Sequence, residues 1–211
     1  MANTNGAFGL RPIGVVGQAA NTTGATEYRI AAGNTNAIYQ GSPVIPLAAG
    51  VIDIVGAATG GTVGLLGVFW GCEYVSSTTG EKIFSPYWPG SGADTNFPVK
   101  AFVYDNPLQS FVICSDASLT SESAARAHVF ANANFATGAS GSTTTGISSA
   151  KLGVSTIATT ANLNLRIMGI QDDPENSDFT AAGIPVIVRL NNSFNSPNGA
   201  IAGGTVSTTG V

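Results

Sequence analysis

The stretch "VGLLGVFWGCEYVSSTTGEKIFSPYWPG", Val63 to Gly90, decides the fold class. Its first half is apolar and aromatic, broken by glycines at 64, 67 and 71. Glycines so placed mark bulges or bends in a strand, and they are unfavourable inside a helix. The turn-forming "SSTTG" follows, and then a second strand begins near Lys82. The window therefore predicts a bent, glycine-hinged pair of strands. It also gathers Phe69, Trp70, Tyr74, Phe84, Tyr87 and Trp88, including both tryptophans of the chain. Burying one large apolar side chain is worth roughly 1.5–3 kcal/mol, so these rings are expected to fill a core or a subunit interface. A carbohydrate platform is the rival reading, but few polar side chains flank the rings.

The same pattern extends outward. Thr26–Ala31 alternates, and Ala37–Gln40, Pro43–Leu47 and Val51–Val55 follow around the turn at Gly41-Ser42. Val99–Tyr104 and Ser110–Ser115 are joined by Asp105-Asn-Pro-Leu, and Ala161–Ile170 and Gly183–Leu190 close the series. Many short strands between turn clusters predict an all-β chain with a small β-barrel or sandwich core. Only Glu122 to Phe130 has helical preference, with Ser121 placed to cap it, so one short helix is expected at most. Residues 1–18, polar and glycine-rich with Phe8, Leu10 and Ile13 as anchors, read as an extended N-terminal arm. Residues 19–190 form the β core, divisible at 115/116, and 191–211 read as a flexible tail.

Charged residues are only 9% of the 211, far below the roughly 25% of soluble domains. Such a surface lacks the charge that keeps monomers apart, which favours one covered by partners. The chain still carries enough Val, Ile, Leu and Phe to bury a core, which argues against disorder. A net charge of −4 without any Lys/Arg cluster argues against nucleic acid. No apolar run reaches a membrane span, and no secretory signal opens the chain, so synthesis in a cytoplasm is expected. Cys72 and Cys114, far apart and without a His or Cys neighbour, are expected as buried free thiols rather than as a metal site.

Candidates for chemistry are few. His128 is the only histidine and has no nucleophile motif nearby. "GSTTTG", Gly141 to Gly146, has the glycine spacing of a phosphate loop but lacks the lysine that should follow. Asp172, Asp173, Glu175 and Asp178 form a dense acidic turn whose spacing does not match a Ca²⁺ loop. The expectation is a non-enzyme without cofactor or metal.

The order "MANTNGAFGLRPIG", "AIYQGSPV", "GVFWGCEYV" with "FSPYWPG", "AFVYDNP", "LRIMGIQDDPENS" and "IPVIVRLNNS" resembles structural proteins of tailed bacteriophages. The portion "GSPVIPLAAGVIDIVG…VGLLGVFWG" looks like the β-barrel of capsid cement, or head decoration, proteins. Ser42 stands where that pattern often has an acidic residue. The resemblance implies a virion protein on the outer face of the icosahedral capsid, bridging copies of the major capsid protein. It implies self-association, with a trimer favoured over a dimer. In that reading Phe8, Leu10, Arg11 and Ile13 belong to a capsid-binding arm. The rival classes are a host-surface or glycan-binding module, and a tail or connector subunit.

Overall fold

The computed structural model describes residues 3–16, 24–55, 64–138 and 140–195. The expected tail from 196 onward and the end of the expected arm, 17–18, lie outside them. Among the described residues the fold is all-β with one short α-helix, arranged as two large antiparallel sheets and a two-stranded ribbon, and neither large sheet closes into a barrel.

The first sheet is built from β2 (Thr26–Ile30), β3 (Pro43–Leu47), β4 (Val51–Ile54), β5 (Gly67–Val75), β6 (Lys82–Ser85) and β7 (Val99–Tyr104). Its order is β2-β7-β5-β3-β4, with β6 also paired to β5. The sheet rolls until its outer strands β2 and β4 lie against each other. No ladder joins them. Instead, Asn34 and Asn36, just after β2, donate to the two carboxylate oxygens of Asp53 on β4 at 3.0 and 2.8 Å. Inside the roll sit Ile30, Val44, Ile52, Phe69, Val99, Ala101 and Val103. Trp88 plugs the roll: it is wholly buried, bridges Ile38 and donates its indole N–H to the Asn34 carbonyl at 3.2 Å.

The second sheet runs β1 (Arg11–Val15), β8 (Gln109–Cys114), β13 (Pro185–Leu190), β12 (Leu165–Ile170), β9 (Asn132–Ala133). Its inward residues Phe111, Ile113, Leu165, Ile167, Val186 and Val188 make a second core. The helix α1 (Glu122–Ala127) and the two-stranded ribbon of β10 (Phe135–Thr137) and β11 (Lys151–Leu152) cover that core through Ala125, Phe135 and Leu152. Ser121 caps the helix, accepting from the Ala124 amide at 3.2 Å. The rolled sheet rests on the same core through Ile45, Val68 and Tyr104.

Two details of β5 make this arrangement possible. Gly67 is required because any Cβ there would run into the Tyr104 carbonyl on β7. A bulge between Phe69 and Gly71 then displaces Trp70, so Phe69 and Cys72 both point into the roll. Trp70 instead meets Tyr104 edge-on, with ring centres 5.4 Å apart. Adjacent β7 and β8 do not form a hairpin. The Asp105–Leu108 turn carries the chain from one sheet to the other, so the break in organisation falls there rather than at 115/116, and residues 11–15 join the later half.

Removing the plug tests this packing. Trp88→Ala should lower the unfolding free energy by about 3–5 kcal/mol in denaturant titration, with Trp70 left as the fluorescent reporter.

Candidate functional site

The N-terminal segment is extended, yet it is fastened along its own chain. The side-chain oxygen of Asn176 accepts from the Thr4 and Asn5 amides at 2.9 and 2.7 Å. Asn3 donates to the carbonyls of Asp178 and Ala182, and its own oxygen accepts from the Asp178 amide at 3.0 Å. Asn5 donates to the Gly183 carbonyl at 3.2 Å. Gly183 has φ +91°, and a Cβ there would lie 3.2 Å from the Asn5 carbonyl, so glycine suits both demands. Gly6 offers its carbonyl to the Cys114 thiol at 3.7 Å. Leu10 is fully buried in the second core, and its amide donates to the Gly41 carbonyl at 2.9 Å.

This corrects the expected arm. Leu10 is not available to another protein, and Arg11–Val15 is already an edge strand paired to β8. The Arg11 guanidinium stands 4.7 Å over the centre of the Phe8 ring. Ile13, half exposed beside the bulge between Pro12 and Gly14, is the anchor left facing outward.

The acidic turn has a structural task as well. The Asp173 carboxylate accepts from the Glu175 amide and from the Asn176 side chain at 2.8 Å, which aims Asn176 at the N-terminal segment. Hydrogen bonds from the Thr180 hydroxyl and amide hold the Asp178 carboxyl below its ordinary value. A cleft of about 230 Å³ opens beside this turn, walled by Ile170, Phe179 and Ile184 and rimmed by Glu122 and Arg126. That volume is smaller than the roughly 300–1,000 Å³ of ordinary small-molecule sites.

The aromatic window does not form one group. Phe69 and Trp88 are buried, Tyr74 meets Trp88 edge-on at 5.4 Å, and Tyr87 stacks on Tyr39 at 5.9 Å. Phe84 alone turns outward, 69% exposed, on β6. The rings therefore make no shared platform, and of the six expected to fill a core or a subunit interface, Phe84 lies outside the core of its own chain. Gly141 of the "GSTTTG" loop lies against Tyr39, and Gly146 beside Tyr87, so that loop packs on the stacked pair.

His128 ends α1, donating its amide to the Ala125 carbonyl. Among the described residues no three His, Cys, Asp or Glu side chains gather closely enough to hold a metal, and no helix is long and apolar enough to cross a membrane. Sequence reading did not single out Phe130, which is 75% exposed with φ +74°. An aromatic residue in the left-handed region is strained, and no sequence signal marks it. Its amide is pinned to the Ile167 carbonyl at 2.8 Å. Comparison with protein-family models, curated proteins and solved structures finds no match.

Both cysteines are free and buried, and burial pushes the Cys72 thiol up to about 12 and raises that of Cys114. The folded thiols thus keep protons that the unfolded chain releases near 9.0. Their contribution to stability is full below pH 9 and falls as pH rises toward about 12. Native protein at pH 8 should leave both thiols unmodified by a thiol reagent, while denatured protein reacts fully. The alkaline loss of unfolding free energy should be smaller in Cys72→Ala than in the wild type.

Proposed function

We propose that the chain is a bacteriophage head protein of the cement or decoration kind, which binds the assembled shell and bridges neighbouring major capsid protein subunits. The observation that carries this reading is the placement of large aromatic side chains outside the core of a weakly charged chain. Phe84, Phe97 and Phe130 are each at least half exposed. Phe130 keeps its exposed position despite a strained backbone, which folding alone does not require. Strain of about 1–2 kcal/mol retained at an exposed ring is explained when the ring serves a contact beyond its own chain. Exposed aromatic rings are the side chains that most often anchor protein interfaces.

A bridging protein requires a stiff body, and a rolled sheet with its own core, resting on the core of a second sheet, supplies it. The low charge density also lowers the desolvation cost of covering much of the surface. With the N-terminal segment fastened in cis, shell contact falls to the exposed rings and to the outer edge of β1 near Ile13. Many copies on one particle convert modest single contacts into high occupancy.

Cosedimentation with protein-free shells tests the reading. Wild-type protein should saturate the shells. Phe84→Ala and Phe130→Gly should each reduce occupancy about tenfold or more at fixed concentration, a loss of about 1.4 kcal/mol. Phe130→Gly should meanwhile unfold no earlier than the wild type, because glycine relieves the strain. Absence of wild-type binding, or occupancy by both variants equal to that of the wild type, contradicts the proposal.

A further inference from the structure

The outward face of the five-stranded sheet carries a charge arrangement that the chain does not complete. Arg166 on β12 and Arg189 on β13 are direct cross-strand partners. Like charges in that relation repel. Their flanking partners are uncharged: Ser110 lies opposite Arg189, and Asn132 lies opposite Arg166. Asn132 accepts from the Arg166 Nε at 3.2 Å. The ion pairs among the described residues are Lys82–Glu73, Lys100–Glu27 and Arg126–Glu122, so neither arginine has a carboxylate. The Nε of half-buried Arg189 is shut off from solvent with no acceptor. Leaving such an N–H unsatisfied costs about 1–3 kcal/mol, more for a charged group. The Phe130 amide donates to the carbonyl of Ile167, the residue next to Arg166, so an exposed aromatic residue is anchored to the strand that carries Arg166. Arginine beside an aromatic residue is the composition of an interface anchor.

The chemistry that fits two adjacent guanidinium groups is paired carboxylate. This chain carries such carboxylates itself, on the turn that follows β12. Asp173 and Asp178 are engaged within the turn, whereas the Asp172 and Glu175 side chains make no hydrogen bond or ion pair among the described residues, Asp172 acting only through its charge on Arg126 across the cleft. They cannot reach the arginines of their own chain. Six residues of extended strand separate Arg166 from Asp172 by roughly 20 Å. Receptor and carboxylates thus sit at opposite ends of one strand. Two copies with antiparallel β12 strands around a two-fold axis satisfy both contacts at once. Nucleic acid fits less well, because two arginines on a chain of net charge −4 make no basic track.

We propose that the Arg166–Arg189 pair receives the Asp172 and Glu175 carboxylates of a second copy, so that the chain assembles as a two-fold pair. The inference stands on charge and strand register. It holds whether or not the pair then covers a shell, and binding to shells plays no part in its test.

The test is sedimentation of the full chain over a range of concentrations and salt. Wild-type protein should sediment as a dimer that weakens as salt rises. Arg166→Glu with Arg189→Glu should weaken it at least about tenfold, as should Asp172→Lys with Glu175→Lys. An equimolar mixture of the two double variants should restore the dimer, because each then offers what the other lacks. That rescue also shows that both variants are folded. A wild-type monomer at all concentrations, another stoichiometry, a dimer indifferent to both reversals, or a mixture that stays monomeric overturns the proposal. Arginine-dependent binding of an oligonucleotide in place of self-association overturns it as well.

Discussion

The oxygen of one side chain, Asn176, holds the two amides of Thr4 and Asn5, and the layout of the molecule follows from where that contact puts the N-terminus. Residues 3–6 are fixed on the turn after β12, over the thiol of Cys114. The next residues cross to Gly41, at the mouth of the rolled sheet, where Leu10 enters the second core. β1 then closes the edge of the five-stranded sheet against β8. A segment with little hydrophobic content of its own thus ties together parts of the chain more than a hundred residues apart. The ordering entropy of each residue, about 1–2 kcal/mol, is offset by half-buried hydrogen bonds and by the burial of Leu10.

That tie changes which surfaces are left open. A free arm would have offered unpaired backbone to another protein's sheet edge. A docked one leaves only the outer edge of β1 unpaired, and the exposed rings are then side chains held on rigid strands. Phe84 on β6, Phe130 beside β12 and the Arg166–Arg189 pair are all supported by paired backbone. Rigid presentation reduces the entropy lost on binding.

Much of the fold was legible. Alternation placed the principal strands, and Ser121 marked the start of the single helix. The glycines of "VGLLGVFWGCEYV" announced a bent strand, and the bulge stands at Trp70. What stayed hidden depends on partners remote in sequence. Nothing local in "MANTNG" shows that its asparagines pair with residues 176 to 183. Nothing near Asp105 shows that the turn changes sheets instead of forming a hairpin. The aromatic window looked uniform because the bulge that turns Trp70 away from the environment of Phe69 is a matter of register. The arginine pair is invisible for the same reason, since Arg166 and Arg189 become neighbours only once β12 and β13 are aligned.

Native-state hydrogen exchange of the free protein tests the central claim, that the N-terminal segment is part of the folded body. The amides of Thr4, Asn5 and Leu10 should open with free energies approaching those of β8 and β13, and Asn176→Ala should speed exchange at Thr4 and Asn5 while sparing Val186 and Val188. Exchange of Thr4, Asn5 and Leu10 at the rate of an unprotected chain would contradict the account and return these residues to the role of a free arm.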